Sequence, residues 1–388
     1  MSERTFLSVP AVDGGLRTIE LREPADLIVS RMPPTAREVY SAAHVVADPR
    51  LAAKGATDCI DWQATMRVRH RLWDLGLGIA ESMDTAQRGM GLSSRVAMEL
   101  GRRTVAEGRD RGGKVVVGIA TDTLAADERD LIAIEDAYIA QLEEIEGVGG
   151  RTVMMASRQL AAAATSADDY VRVYDRVLSA SKNGVVLHWL GSMFDPALRG
   201  YWGSEDIAVA SQTVRSIIEQ NAVRVSGIKI SLLDETFEAG FRRSLPEGVR
   251  VYTGDDFNYV NLIAGDNEEH SDALLGAFAA VPQFASAAFA ALDRGDVAEF
   301  RRILEPTQEV SRLVFEAPTQ YYKVGVAWLS FLNGWQQSFK MLDGFETGRS
   351  VQHLVELLEA GDRIGLFPDP EFTARRAQAY FSGLGFPS

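Results

Sequence analysis

Eight short apolar segments, each five to eight residues long, recur along the chain and are separated by longer segments with helical periodicity. Most of them are continuously apolar and do not alternate with polar residues, which is typical of strands buried on both faces of a parallel sheet. The eight segments are Ser41–Ala47, Leu77–Ser82, Val115–Thr121, Thr152–Ser157, Gly184–Leu190, Ser226–Ser231, Val249–Thr253 and Ala273–Ala280. This repetition constrains the fold more than any other feature of the sequence.

The intervening segments carry apolar residues at spacings of three and four, as amphipathic helices do. The predicted helices are Trp62–Leu75, Asp127–Glu144, Ala167–Ser181, Glu205–Asn221 and Leu232–Leu245. Eight strand–helix units in about 240 residues favour a closed (β/α)8 barrel over an open doubly wound sheet. We therefore predict an α/β fold with a TIM barrel over residues 41–284.

The regions on either side of the predicted barrel have different patterns. Residues 6–9 and 16–21 flank Asp13-Gly14-Gly15, a tight-turn signal, which predicts a β-hairpin within an N-terminal extension of residues 1–40. The strand pattern ends near residue 284, and residues 285–388 are expected to be C-terminal helices packed on the barrel. These helices are predicted at Phe284–Ala291, Val297–Phe315, Gln320–Leu342, Ser350–Glu359 and Asp369–Leu384.

Charge and composition argue against several classes of partner. The chain has 54 acidic and 40 basic residues and a formal charge of −14, whereas nucleic acids and anionic membranes attract clustered positive charge. Cys59 is the single cysteine, which excludes an internal disulfide and fits a reducing compartment. The sequence shows no signal-peptide pattern and no apolar run of about 18 residues, so we expect a cytoplasmic protein without a membrane partner. Dinucleotide and phosphate-loop motifs are also missing, and we expect no cofactor.

Functional residues of a TIM barrel lie at the carboxyl ends of its strands. Polar residues and one glycine occupy these positions on several predicted strands. They are Glu81, Asp84 and Thr85 after the second strand, Asp122 after the third, His188 and Trp189 on the fifth, Lys229 on the sixth, and Gly254, Asp255 and Asp256 after the seventh. We take these ten residues as candidates for one site.

Lys229 is the candidate that predicts the most specific chemistry. The chain has six lysines and 34 arginines, and Lys229 lies between Ile228 and Ile230 on a strand predicted to be buried. Because neighbouring side chains point to opposite faces of a strand, Lys229 faces the barrel interior if the isoleucines face the helices. Burial lowers the pKa of an ammonium group, and a neutral amine can attack a carbonyl to form a Schiff base. The structural alternative is a lysine–carboxylate pair that holds the barrel together.

Histidine and acidic residues surround this lysine in the predicted topology. His188, on the preceding strand, can relay protons or pack as a core histidine. Asp84 can act as an acid or base, or accept hydrogen bonds from loop amides. Asp255 and Asp256 follow Gly254, and aspartate after glycine is also common in ordinary turns.

In the order of its segments, the chain resembles the superfamily of dihydrodipicolinate synthase and N-acetylneuraminate lyase, which are class I aldolase TIM barrels. Gly227-Ile228-Lys229 matches the family's sixth strand, whose lysine forms the Schiff base, and Thr253-Gly254-Asp255-Asp256 matches the end of its seventh strand. The resemblance covers about residues 40–345. It implies an aldolase or lyase that acts on a small keto acid or keto sugar, and a homo-oligomer, either a dimer or a tetramer.

The chain departs from the family pattern near the predicted site. His188 stands where the family has a catalytic tyrosine, and residues 81–88 replace the loop Gly-Thr-Thr-Gly-Glu. Thr85 lies close to the position of a family hydroxyl, and Met193 replaces an arginine that grips a keto acid's carboxylate in some members. The resemblance therefore implies that Lys229, His188, Thr85 and Asp84 are catalytic. Glu81, Asp122, Trp189, Gly254, Asp255 and Asp256 would bind the substrate.

Two other functions are compatible with the same residues. Glu81, Asp84, His188, Asp255 and Asp256 could converge on a divalent metal ion from different strands of the barrel. A barrel that has lost turnover could also act as a non-catalytic binding protein. The missing glycine-rich loop and tyrosine favour the latter, and a retained lysine of low pKa argues against it.

Overall fold

A computed structural model describes residues 4–266 and 269–387 of the chain. Eight parallel strands form a closed barrel in which each strand pairs with the next one along the chain, and the last pairs with the first. They are β3 (Val39–Ala42), β4 (Gly78–Glu81), β5 (Val115–Ile119), β6 (Arg151–Met154), β7 (Val185–Leu190), β8 (Val225–Ser231), β9 (Arg250–Thr253) and β10 (Asp272–Leu275). The predicted TIM barrel is confirmed.

Helices connect these strands and cover the outside of the barrel. They are α1 (Trp62–Asp74), α2 (Ser94–Arg111), α3 (Leu131–Gly147), α4 (Arg158–Ala163), α5 (Ala167–Ala180), α6 (Ile207–Gln220), α7 (Glu235–Arg242), α8 (Tyr259–Ala264) and α9 (Ala277–Ala280). The helix α2 is missing from the sequence predictions, although Ser93 caps its first turn by accepting a hydrogen bond from Val96. Arginines and other polar residues dilute its apolar pattern.

The predicted hairpin is present as β1 (Thr5–Pro10) and β2 (Leu16–Leu21), which pair antiparallel. In the described part of the tail, six α-helices follow the barrel: α10 (Pro282–Asp293), α11 (Val297–Leu304), α12 (Thr307–Val314), α13 (Tyr322–Leu332), α14 (Val351–Arg363) and α15 (Pro370–Gly383). One continuous apolar cluster joins the hairpin, the outside of the barrel and these tail helices. Across residues 4–266 and 269–387, no helix is long and apolar enough to cross a membrane.

Several predicted elements end earlier than their apolar patterns suggest: the strand Ser41–Ala47 ends at Ala42, and the helix Gln320–Leu342 ends at Leu332. The predicted strand Ala273–Ala280 is wrong in its second half, where the chain forms α9. This helix begins where the Asp256 carboxylate accepts a hydrogen bond from the Ala277 amide at 2.9 Å, a tertiary contact that a local pattern does not reveal. The predicted helix Val297–Phe315 is divided at Pro306, which has no amide hydrogen to continue the helix.

The barrel strands place alternate residues inside and outside. Ile228 and Ile230 pack in the outer apolar layer with the helices, so Lys229 between them points into the barrel. Side chains of a separate apolar cluster fill the interior below the lysine, among them Val116, Val186 and Leu274. Polar groups therefore occupy the two ends of the barrel and apolar groups its middle.

Candidate active site

Lys229 lies opposite His188 on β7 and opposite Tyr252 on β9. The residue is 9% exposed, and in the described part of the chain no carboxylate oxygen lies within 4 Å of its ammonium group. Burial lowers the pKa of Lys229, and the negative charges of Asp256 and Asp84 only partly oppose that effect. The lysine is thus neither in bulk water nor locked in a salt bridge, and a larger share of it is neutral amine than in solution.

Gly254 provides the space that the lysine occupies. A Cβ atom at this position would lie 2.7 Å from Cε of Lys229 and 2.2 Å from Oγ of Ser231. Both distances are too short for ordinary packing, so a larger residue would displace the lysine or the serine. Gly254 therefore contributes to the site through the side chain that it lacks.

His188 is fully buried beside Lys229. Its Nε2 lies 3.3 Å from Oγ of Ser231, and its Nδ1 has no hydrogen-bond partner among the described residues. Burial, helped by the charge of Lys229, holds the pKa of His188 well below its ordinary value. The ring is therefore neutral at physiological pH and has one nitrogen uncommitted, which suits a group that exchanges protons with a ligand.

The two aspartates after β9 have different roles. Asp255 accepts hydrogen bonds from the amides of Phe257 and Asn258, which is the turn-forming arrangement considered from the sequence. Asp256 is buried next to Lys229, and burial raises its pKa to about 7 despite a hydrogen bond from the Ala277 amide and the lysine charge. Asp256 can therefore donate or accept a proton near neutral pH.

The C-terminal tail supplies two residues that the sequence predictions missed. The hydroxyl of Tyr322, at the start of α13, lies 2.8 Å from Oγ1 of Thr85, and both residues are buried. Lys323 follows it and is also buried, and the charge of Asp84 acts on Lys323 as well as on Lys229. The aromatic pattern of residues 321–335 predicts core packing, but the scarcity of lysine in this chain is a signal that draws attention to Lys323.

Three predicted substrate-binding residues do not join Lys229. Glu81 points outward from β4 and forms a fully buried, bidentate ion pair with Arg69 on α1, with two N–O distances of 2.8 Å. The hydroxyl of Thr104 on α2 donates a further hydrogen bond to Glu81 at 2.7 Å. This carboxylate ties two helices to the barrel, so the placement of Glu81 at the substrate site is corrected.

The predicted roles of Asp122 and Trp189 in substrate binding are corrected for related reasons. Both oxygens of Asp122 accept hydrogen bonds from Arg88 at 2.7 Å, so the carboxylate joins the loops after β4 and β5. Trp189 lies on the outer face of β7, with its ring centre 5.3 Å from that of Phe237. Strand alternation puts Trp189 and His188 on opposite faces, and only His188 points toward Lys229.

The residues considered for a metal site do not converge either. Glu81 is turned outward and paired with Arg69, and Asp255 is occupied by loop amides. Within residues 4–266 and 269–387, no group of three or more histidine, cysteine or acidic residues is arranged to hold a metal ion. The five proposed ligands therefore form no common coordination sphere.

The chain is similar in fold to several solved dihydrodipicolinate synthases. Those from Aquifex aeolicus and Thermotoga maritima have TM-scores of 0.64 and 0.62 at 13% and 14% identity. The alignments cover 85% of this chain in both cases, and 98% and 99% of those chains. A Bacillus anthracis dihydrodipicolinate synthase has a TM-score of 0.62 at 16% identity, with 84% of this chain and 98% of that chain covered.

These similarities establish that the barrel and part of its tail have the dihydrodipicolinate synthase fold. Among proteins with curated functions, none matches this chain significantly by sequence. A family model described as "Protein of unknown function (DUF993)" matches residues 7–386, almost the whole chain. The chain therefore belongs to the DUF993 family.

Proposed function

We propose that this protein is a Schiff-base-forming aldolase or lyase whose nucleophile is Lys229. One observation carries the proposal: a buried amine without a carboxylate partner within 4 Å, held beside the neutral His188 inside a barrel. Burying such an amine costs folding free energy, and groups with perturbed pKa values of this kind cluster at functional sites. The fold shared with dihydrodipicolinate synthases supports the same reaction class by analogy.

The proposed reaction begins when the neutral Nζ of Lys229 attacks the carbonyl carbon of the substrate. The carbonyl oxygen takes up protons and leaves as water, and a protonated imine remains. A base removes the proton of the hydroxyl on the β carbon, the bond between the α and β carbons breaks, and the β carbon leaves as an aldehyde or ketone. The electron pair of the broken bond is accepted by the protonated imine to give an enamine, which is protonated at the α carbon and hydrolysed to release the second carbonyl product and free Lys229. Aldol addition is the reverse of this sequence, and dehydration uses the same imine.

Proton transfers in this sequence are assigned to groups around Lys229. Asp256, with its pKa near 7, would protonate the departing hydroxyl and take a proton back during hydrolysis. His188 on β7, which is neutral and has a free ring nitrogen, would exchange protons with the same carbonyl oxygen. The paired hydroxyls of Thr85 and Tyr322 would orient the carbonyl oxygen, and Asp84 would act through its charge on Lys229.

Borohydride trapping tests the proposal directly. Wild-type protein incubated with pyruvate or hydroxyacetone and then reduced should carry a stable mass adduct on the peptide that contains Lys229. Lys229→Ala should abolish the adduct, while Lys54→Ala, the same change at a side chain that is 85% exposed, should leave it unchanged. Absence of an adduct with both carbonyl compounds, or an adduct that persists in Lys229→Ala, would overturn the proposal.

The resemblance to oligomeric aldolases also predicts a homo-oligomer. The dimer or tetramer stays a prediction, and size-exclusion chromatography with light scattering would test it.

A further inference from the structure

Lys323 is an unusual side chain for its surroundings. It is 2% exposed, and its ammonium group donates one hydrogen bond, to the carbonyl of Gln320 at 3.1 Å. The ammonium lies 4.4 Å from the centre of the Tyr322 ring, and no carboxylate oxygen in the described ranges lies within 4 Å of it. Two of its three N–H donors therefore have no hydrogen-bond acceptor among the described residues, and such burial is costly unless a ligand supplies the acceptors.

The charges that act on Lys323 come from residues that follow the barrel strands. They belong to Asp84 after β4, Arg158 after β6 and Asp195 after β7, all at the carboxyl ends of the strands. Asp84 also acts on Lys229, and the neighbouring Tyr322 contacts Thr85 at the same end of the barrel. Lys229 from the barrel and Lys323 from the tail are therefore both buried near Asp84, at the end of the barrel where the tail contacts the strand ends.

We propose that Lys323 binds an anionic group of the carbonyl substrate and so determines a preference for anionic over neutral carbonyl compounds. This inference rests on the proposed role of Lys229, because Lys323 would bind a second group of the same substrate whose carbonyl Lys229 attacks. It narrows the substrate class from a keto acid or keto sugar to a compound with a negative group near the carbonyl. Charge-assisted hydrogen bonds from two free N–H donors suit the two oxygens of a carboxylate.

The local charge balance favours a monoanion over a dianion. Arg158 is paired with Asp195, so these two charges compensate each other. Burial lowers the pKa of Lys323 to about 8, which leaves the group mostly cationic at neutral pH. The charge of Asp84 partly compensates the cation of Lys323, so a carboxylate with one negative charge suits this site better than a phosphate, which carries up to two charges at this pH.

The first experiment compares pyruvate with hydroxyacetone, a neutral ketone of similar size, as trapping substrates. In the wild type, half-maximal trapping should need at least about tenfold less pyruvate than hydroxyacetone. Lys323→Met, which keeps most of the side-chain length but removes the ammonium group, should abolish this ratio and leave the hydroxyacetone value unchanged. Lys323→Arg should retain part of the ratio. An unchanged ratio in Lys323→Met, or dihydroxyacetone phosphate trapped more readily than pyruvate, would overturn the carboxylate assignment.

The second experiment separates this inference from the Schiff-base proposal. Lactate has the carboxylate but no ketone, and its binding can be measured by calorimetry without covalent chemistry. Lactate should bind to the wild type and to Lys229→Ala, and Lys323→Met should weaken binding at least about tenfold. If lactate behaves in this way while borohydride traps no adduct, the anion site stands and the Schiff base fails. If lactate does not bind, or binds Lys323→Met as tightly as the wild type, the anion site is wrong.

A structural role for Lys323 is distinguished by stability measurements on the same variants. If Lys323 only stabilises the tail, Lys323→Met should have a lower free energy of unfolding, and its trapping of pyruvate and of hydroxyacetone should weaken equally. A ligand-binding lysine would give an unchanged or higher free energy of unfolding and a selective loss for pyruvate.

Discussion

The two ends of the barrel both bury charged and polar side chains, but they satisfy them differently. At the amino-terminal ends of the strands, Glu38 accepts hydrogen bonds from the hydroxyls of Tyr40 and Tyr252 and forms ion pairs with Arg151 and Arg250. At the carboxyl ends, Lys229 and Lys323 have no carboxylate within 4 Å in the described ranges, and His188 has a free ring nitrogen.

This difference distinguishes a cluster that stabilises the fold from the candidate ligand site. Hydrogen bonds and ion pairs compensate the cost of burying Glu38, whereas the cost of burying the two lysines is only partly compensated. Buried polar groups that lack hydrogen-bond partners in the folded chain can gain the most interaction free energy when a ligand binds. Substitutions at the two ends should therefore affect different properties of the protein.

The largest expected effect comes from Gly254→Ala at the carboxyl end. The new Cβ would displace Lys229 or Ser231, and misplacing a reacting group by about 1 Å can cost roughly 100-fold in rate. We expect the rate of borohydride trapping to fall by about that factor. Gly240→Ala is the matched control, because a Cβ there meets no atom within 4 Å. A wild-type trapping rate in Gly254→Ala would contradict the role of the glycine.

The next prediction concerns the pH dependence that Asp256 confers. Its pKa rises from 3.8 to about 7 on folding, so the folded protein keeps a proton that the unfolded chain loses between these values. The stabilising contribution of the protonated carboxyl is thus present at low pH and is lost as the pH rises through about 7. Asp256→Asn should flatten this decline and also remove an inflection near pH 7 from the trapping rate.

Urea unfolding at pH 5 and pH 8 measures the first effect, which we expect to be on the order of a few kcal/mol. Trapping rates across the same range measure the second. Parallel stability curves for the wild type and Asp256→Asn would show that this carboxyl does not titrate near neutrality.

The smallest effect is expected at the amino-terminal end, in Glu38→Gln. The amide keeps one acceptor but loses both ion pairs, so the free energy of unfolding should fall by about 1–3 kcal/mol. Trapping at Lys229 should not change. Because hydrogen bonds from the two tyrosines and the charge of Arg151 outweigh burial and lower the pKa of Glu38, the difference should disappear only when acid protonates the wild-type carboxyl.

Glu299→Gln provides the control for that variant, since it breaks a surface ion pair with Arg302 and should not measurably alter unfolding. A loss of trapping in Glu38→Gln at unchanged stability would contradict the division between the two ends.

Some residues of the candidate site were predictable because their geometry follows from local rules. Strand alternation is enough to turn Lys229 inward when isoleucines flank it, and the same rule brings His188 beside it on the neighbouring strand. Gly254 and Asp256 follow from the place where active sites lie in TIM barrels. Tyr322 and Lys323 were missed because more than 90 residues separate them from Lys229, and only the packing of the tail returns them to the barrel opening.

The pattern of apolar segments in this chain was sufficient to predict an eight-stranded barrel, the inward direction of Lys229 and the helical tail. The tertiary structure decided which charged residues are paired. Glu81 and Asp122 occupy the expected positions at strand ends, yet Arg69 on α1 and Arg88 in a loop neutralise them. These partners lie 12 and 34 residues away in the sequence, on other elements of the fold, and no local periodicity encodes the distance between the paired side chains. Whether a buried charge stabilises the fold or awaits a ligand therefore depends on contacts that form only when the barrel closes.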